Sequence, residues 1–167
     1  MTMAQQVSIS YVPAEEDFKL WRFLDHTRYV IARLRELELA QYGLTPEQAY
    51  VLDILNANGG STTMGQIADM TLRPHHTIST LIERMAKHGL LEKRRTPQDR
   101  RSYEIVVTAK GDELFRKVKR KSIEMAFSTL SKEDKRLLSS ILKRLLSRSY
   151  ELSGKQFDFT DEYIPCL

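Results

Sequence analysis

Between Pro74 and Gly89 the chain carries residues whose types and spacing suit hydrogen bonding to a polyanion. At about 100° per residue of helix, Ile78, Leu81, Ile82 and Met85 fall on one side, and His76, Thr80, Glu83 and Lys87 on the other. Thr77, Ser79 and Arg84 flank that outer face, whereas His75 leans towards the apolar side. Short hydroxyls, an imidazole and cations can approach base edges and phosphates without steric obstruction. A polar face alone decides little, because any solvent-facing helix surface is polar. The next turn adds more. It holds Pro97, Asp99, Arg100 and Arg101, and an arginine projected from a β-turn can enter a narrow minor groove, where negative potential is concentrated. Asp99 can orient the Arg101 guanidinium through a charge-assisted hydrogen bond. A charged turn is by default only a solvated turn. Its conjunction with the preceding helices makes a DNA-reading wing the better explanation.

The charge distribution points the same way. From Arg73 to Arg101, eight cations (Arg73, Arg84, Lys87, Lys93, Arg94, Arg95, Arg100, Arg101) stand against three anions (Glu83, Glu92, Asp99), a net of +5. The 167-residue chain carries +4, so the remainder is near −1 and the basic segment is an island. The length suits one globular unit, and the 41% hydrophobic and 29% charged composition is that of a folded soluble protein. No apolar run approaches the roughly 20 residues that a membrane span needs. The first 15 residues lack the basic start, apolar stretch and small-residue cleavage site of a secretory signal. The single cysteine, Cys166, cannot form an intrachain disulfide, and the two observations predict a cytoplasmic location.

The elements that must position these residues follow from periodicity and punctuation. Phe18, Trp21, Leu24, Val30, Ile31, Leu34 and Leu37 recur at helical spacing after the acidic start Glu15, Glu16, Asp17, which predicts a long first helix ending near Gly43. Thr45, Pro46 and Gln48 form a capping box for a second helix running to about Asn58. After Gly59 and Gly60, the hydroxyls of Ser61, Thr62 and Thr63 are expected to cap a short third helix carrying Met64, Ile67 and Ala68. The fourth helix starts at Pro74 and ends at Gly89. Strand-like runs at Leu90–Arg95 and Ser102–Thr108 make a hairpin, and Thr108 can cap a fifth helix reaching to about Leu130. Ser131 and Asp134 cap a sixth, whose Leu137, Leu138, Ile141, Leu142, Leu145 and Leu146 form an apolar stripe. The predicted order is four helices, a hairpin, then two helices.

Two stretches carry a specific likeness: LTPEQAYVLDIL, beginning at Leu44, and TMGQIADMTLRPHHTISTLIERMAKHGLLEKRRTPQDRRSYEIVVTAKG, ending at Gly111. Their leucine-threonine-proline helix start, threonine-isoleucine-serine run, glycine-leucine-leucine lead-in to the wing, aspartate-arginine-arginine tip and threonine-x-x-glycine exit resemble the core of MarR-type transcription regulators. The likeness covers Leu44 to Gly111 closely. Beyond it only the arrangement of helices agrees, to about Tyr150. The implied fold is mainly α with a small β-hairpin wing: a winged helix-turn-helix with N- and C-terminal dimerisation helices. The corresponding divisions are an N-terminal extension (1–14), a dimerisation helix (15–43), the winged DNA-binding lobe (44–108), further dimerisation helices (109–150) and a C-terminal tail (151–167). The resemblance implies a homodimer that binds a palindromic operator in double-stranded DNA, as a ligand-responsive repressor. Arg73, His76, Thr77, Ser79 and Thr80 would meet the major groove, Arg101 would enter the minor groove, and Asp99 would orient it. Arg84 and Arg100 complete the expected DNA-binding set. The family often has glycine where this chain has Leu72, and leucine does not readily adopt positive φ.

Independently of family, the apolar stripe of the last helix and the aromatic-rich first helix offer more hydrophobic face than one small winged core can cover, unless they cover each other within one chain. A dimer also reaches successive major grooves about 34 Å apart, where one recognition helix reads too few bases. The resemblance further implies a small aromatic effector, for which Trp21, Arg22, His26, Tyr29 and Tyr50 could line a cleft or serve equally as core and surface residues. No cofactor is expected. A metal site is not expected either, because His26, His75, His76 and His88 are scattered along the chain. Residues 1–165 contain no cysteine for an N-terminal redox switch. No nucleophile with its base, carboxylate pair or phosphate-binding glycine loop is present to suggest an enzyme. The alternative reading is a winged-helix module that binds protein without specific DNA binding.

Overall fold

The computed structural model describes residues 15–95 and 103–154. The elements run α1 (Glu15–Ala40), α2 (Pro46–Ala57), β1 (Ser61–Thr63), α3 (Met64–Thr71), α4 (His75–Lys87), β2 (Leu91–Arg95), β3 (Tyr103–Val107), α5 (Ala109–Lys117), α6 (Lys121–Phe127) and α7 (Lys132–Leu152). This is a mainly helical winged helix-turn-helix with one small antiparallel sheet, in the order β1-β3-β2. No helix among the described residues is long and apolar enough to cross a membrane.

Local chemistry accounts for most helix starts. The Thr45 hydroxyl accepts from the Gln48 amide (3.3 Å) while the Gln48 side chain accepts from the Thr45 amide (3.0 Å), and Pro46 follows in the first helical position. Ser131 and Asp134 form the same reciprocal pair at α7. At the end of α4, Gly89 adopts φ +72° and the Leu90 amide returns to the Met85 carbonyl (3.0 Å), a left-handed stop that few side chains tolerate.

The core lies within the winged lobe. Val51, Leu52, Ile54 and Leu55 of α2, Ile67 of α3, Ile78, Ile82 and Met85 of α4 and Ile105 of β3 are all fully buried. From α1 only Leu39 joins them, and no residue of α7 is buried. The lobe is therefore closed by itself, with α1 and α7 extending from it as apolar arms.

The structure corrects the expected order in two places. Ser61, Thr62 and Thr63 do not all serve as caps: they form β1, paired with β3 so that Thr62 stands opposite Ile105. Only Thr63 caps α3, through a box with Gln66, while the buried Thr62 hydroxyl donates to the Gln66 side chain (2.7 Å). The expected hairpin is thus a three-stranded sheet, because β3 uses both of its edges. Second, the fifth helix does not run unbroken to Leu130. It stops at Lys117, Val118 is extended (φ −67°, ψ 112°), and the chain restarts as α6 at Lys121. Val118 packs against the lobe core, and side chains from α1 (Arg35, Glu38) and from the turn after it (Tyr42) take up the backbone groups freed at the break. The observed order is two helices, a strand, two helices, two strands and three helices.

Candidate nucleic-acid interface

The helix-turn-helix is built by α3 and α4 packing Ile67 and Ala68 against Ile78, Leu81, Ile82 and Met85. In the turn between them Leu72 adopts φ +52°, ψ +31°, the one non-glycine residue at positive φ among the described residues. The turn therefore keeps the left-handed geometry that glycine would supply, and a leucine, largely exposed, takes it up. Pro74 precedes α4 with no side chain capping the helix start, and its carbonyl accepts from the Thr77 amide (3.0 Å).

The outer face of α4 is arranged as its periodicity predicts. His76, Thr80, Glu83, Arg84 and Lys87 are exposed, and Thr77 and Ser79 are half-buried on the flanks. His75, the first residue of α4, leans towards α3 with its ring over Gly65, yet it remains exposed. Within the face, Ser79 donates to the Glu83 carboxylate (3.2 Å) and Thr80 to the His76 carbonyl (3.0 Å). Arg73 lies at the turn, paired with Glu47 at the start of α2 (3.2 Å).

The strand that follows contributes a contact that the sequence reading missed. Lys93 of β2 reaches Glu83 (3.4 Å), tying the root of the wing to the outer face of α4. Only the periodicity of both elements taken together places these two charges on one side, which is why residue type alone did not reveal the pair. Arg94 pairs with Glu92, and Arg95 is exposed at the end of β2. Asp99, Arg100 and Arg101, the expected wing tip, lie outside the described residues.

The residues considered for an effector divide. Trp21, Arg22, His26 and Tyr29 line one open groove along the N-terminal half of α1, together with Lys19, Phe23 and Asp25. Tyr50 is not among them: it sits on α2 and donates to the Met70 carbonyl (3.1 Å), bracing α3. Among the described residues no three His, Cys, Asp or Glu side chains gather to hold a metal ion.

Comparison with known proteins agrees with this architecture. The family model for the MarR family matches residues 42–102, from the end of α1 through α4 to the wing. The HTH-type transcriptional regulator MhqR of Bacillus subtilis is 27% identical over 146 residues, covering 86% of this chain and 97% of that protein. Two solved structures share the fold. The organohalide-sensing transcriptional regulator RdhR-CbdbA1625 in its 2,4-dichlorophenol-bound form has a TM-score of 0.75 at 21% identity, over 96% of this chain and 100% of that one. A mutant MarR from E. coli complexed with operator DNA has a TM-score of 0.72 at 18% identity, over 78% and 96%. With its capped helices, its three-stranded wing sheet and its match through both helices of the helix-turn-helix, the chain is similar to transcriptional regulators of the MarR family across its winged lobe.

Proposed function

We propose that this regulator binds double-stranded DNA as a homodimer, with α4 of each protomer in the major groove of a palindromic operator, and that it represses by occlusion. The observation that carries the reading is the outer face of α4. Its polar side chains stand clear of a closed core, beside a basic β2, as direct and phosphate contacts require. In this reading Arg73, His76, Thr77, Ser79, Thr80 and Arg84 meet the major groove and its phosphates. Asp99, Arg100 and Arg101 serve the minor groove. The solved fold relative bound to operator DNA supports the same use of the lobe. The regulator works where the chromosome lies, in the cytoplasm.

Dimerisation is supported by what one chain leaves uncovered. Trp21, Phe23 and Leu34 of α1 and Leu137, Ile141 and Leu145 of α7 are all exposed, so the arms do not cover each other within a protomer. A second copy supplies the missing face, and the two-fold axis then presents two recognition helices to successive major grooves. The α1 groove suits a small aromatic acid as effector: Trp21 and Tyr29 offer ring faces, Arg22 and His26 offer donors. The 2,4-dichlorophenol-bound fold relative supports this class of ligand.

A gel-shift titration against DNA upstream of the protein's own gene tests the reading. Wild-type affinity should fall steeply with salt, and Arg101→Ala should give a slope shallower by about one unit on log–log axes, one phosphate contact's worth. Partner binding that is nearly independent of salt, with no duplex bound above the non-specific level, would instead support a protein-interaction module.

A further inference from the structure

The chain joins the winged lobe to the apolar arms at two places: where α1 runs into the core at Leu39, and at the break between α5 and α6. One carboxylate spans both. Glu38 is the last α1 residue before Leu39, and its Oε1 accepts from the Lys121 amide (2.8 Å) and the Ser122 amide (3.3 Å) at the start of α6. Its Oε2 accepts from the Ser122 amide (3.3 Å) and the Ser122 hydroxyl, and from Arg35 (2.9 Å). Arg35 in turn donates to the Lys119 carbonyl inside the break (2.6 Å), and Arg120 reaches Asp53 of α2 (3.1 Å).

This cluster is not a surface ion pair. The Glu38 side chain is only 11% exposed, its partners lie 83 and 84 residues away as well as one turn back, and the backbone groups it satisfies are amides that starting α6 would orphan. Burial pushes the Glu38 carboxyl up, yet the hydrogen bonds from the Ser122 hydroxyl, Arg35 and the Ser122 amide outweigh it and leave the group below its ordinary range. With either crossing tied alone, the lobe could swivel about the other. Tied together, the two crossings make a rigid joint.

We propose that Glu38 is a positioning residue: it locks the joint between lobe and arms, and so sets the distance between the two recognition helices of the dimer. The inference rests on the dimeric DNA-binding reading and adds to it the residue that determines half-site spacing. Glu38→Gln is the informative change, because Arg35, the Lys121 and Ser122 amides and the Ser122 hydroxyl all donate to the carboxylate, so an amide nitrogen must face a donor wherever it points. Ser122→Ala attacks the same joint from the other side, in case the first variant folds poorly.

The test has two arms. In the first, Ala57→Cys in a Cys166→Ser background places one spin label on each lobe, and double electron–electron resonance reads the lobe-to-lobe distance in the absence of DNA. In the second, wild type and variants are titrated against palindromic duplexes whose half-site spacing is varied one base pair at a time. The locked joint predicts one narrow distance that broadens at least twofold in either variant. It also predicts a preference for the best spacing over its neighbours that falls roughly tenfold, the factor carried by one hydrogen bond to a charged group. Affinity for an isolated half-site should hold. Unchanged distances and spacing preference in both variants would overturn the joint while leaving the DNA-binding reading intact. A wild type that gives no interspin distance, or selects no duplex, would bring down that reading and this proposal with it.

Discussion

Leu72, in the turn of the helix-turn-helix, and Gly111, in α5, show how glycine and a side chain can each be the strained choice at a backbone position. Leu72 holds a left-handed conformation that costs an L-residue about 1–2 kcal/mol, against a glycine's extra chain entropy of about 0.5–1 kcal/mol. Leu72→Gly should therefore raise stability by about 0.5–1 kcal/mol, read as a higher urea midpoint at unchanged slope. A lower midpoint would mean that the exposed leucine makes a stabilising contact worth more than the strain. Gly111 is the reverse case. It sits in a helix, where alanine normally stabilises, but a Cβ there would stand 2.2 Å from the Leu90 carbonyl oxygen and 2.9 Å from Val107 Cγ2. Overpacking against backbone cannot be relieved by a rotamer change, so Gly111→Ala should cost about 2–3 kcal/mol despite the better helix propensity. A neutral result in the same urea titration would show that α5 shifts away from the sheet at little cost.

At the scale of elements, the lobe is held by contacts that hand one element to the next. The Thr108 hydroxyl accepts from the Gly111 amide (3.1 Å) to start α5 and donates to the Gly89 carbonyl (2.7 Å) behind α4. The α5–α6 break works in the same way, with Glu38 as the shared acceptor. Because the folded Glu38 carboxyl lies below its ordinary range, its contribution is complete above the ordinary carboxylate pKa and is lost as pH falls through the depressed value. Glu38→Gln should thus be less stable than wild type at neutral pH, and the gap should close on acidification. Glu113, paired with Lys117, and Asp134, bonded to Ser131, are shifted the same way, so some acid sensitivity should survive in the variant. Thermal melts of both proteins across the acidic range would decide it: a gap that stays constant with pH would assign the loss to packing and not to charge.

For the whole molecule, the division of apolar surface matters most. The lobe buries its own core, whereas the arms expose nearly all of their apolar residues, so the proposed dimer would cover the arms and leave the lobe's core untouched. Leu145→Glu places a charge on the exposed stripe of α7, where burial against a second copy would leave it unpaired. Sedimentation should show a dimer for wild type and monomer for the variant at micromolar concentration, with the lobe still cooperatively folded by near-ultraviolet dichroism. If the variant sediments as wild type does, α7 is not the interface.

Most of the candidate site was legible in the residues alone, because what defines it acts over a helix turn or two. Capping boxes at Thr45 and Ser131, the left-handed stop at Gly89 and the two faces of α4 are all properties of neighbours three or four positions apart. The same holds for the motif likeness, which lies in the lobe and not in the arms. What the sequence could not show depends on partners far along the chain. Ser61–Thr63 read as capping hydroxyls until β3 offered them an edge, and the chain from Thr108 to about Leu130 read as one helix until Arg35, Glu38 and Tyr42 supplied partners for a break. The exposure of α1 and α7 was equally open, since an apolar stripe looks the same whether its cover comes from its own chain or from another. Only the packing of the lobe, to which α1 gives Leu39 and α7 gives no buried residue, decided that both apolar stripes stand uncovered among the described residues.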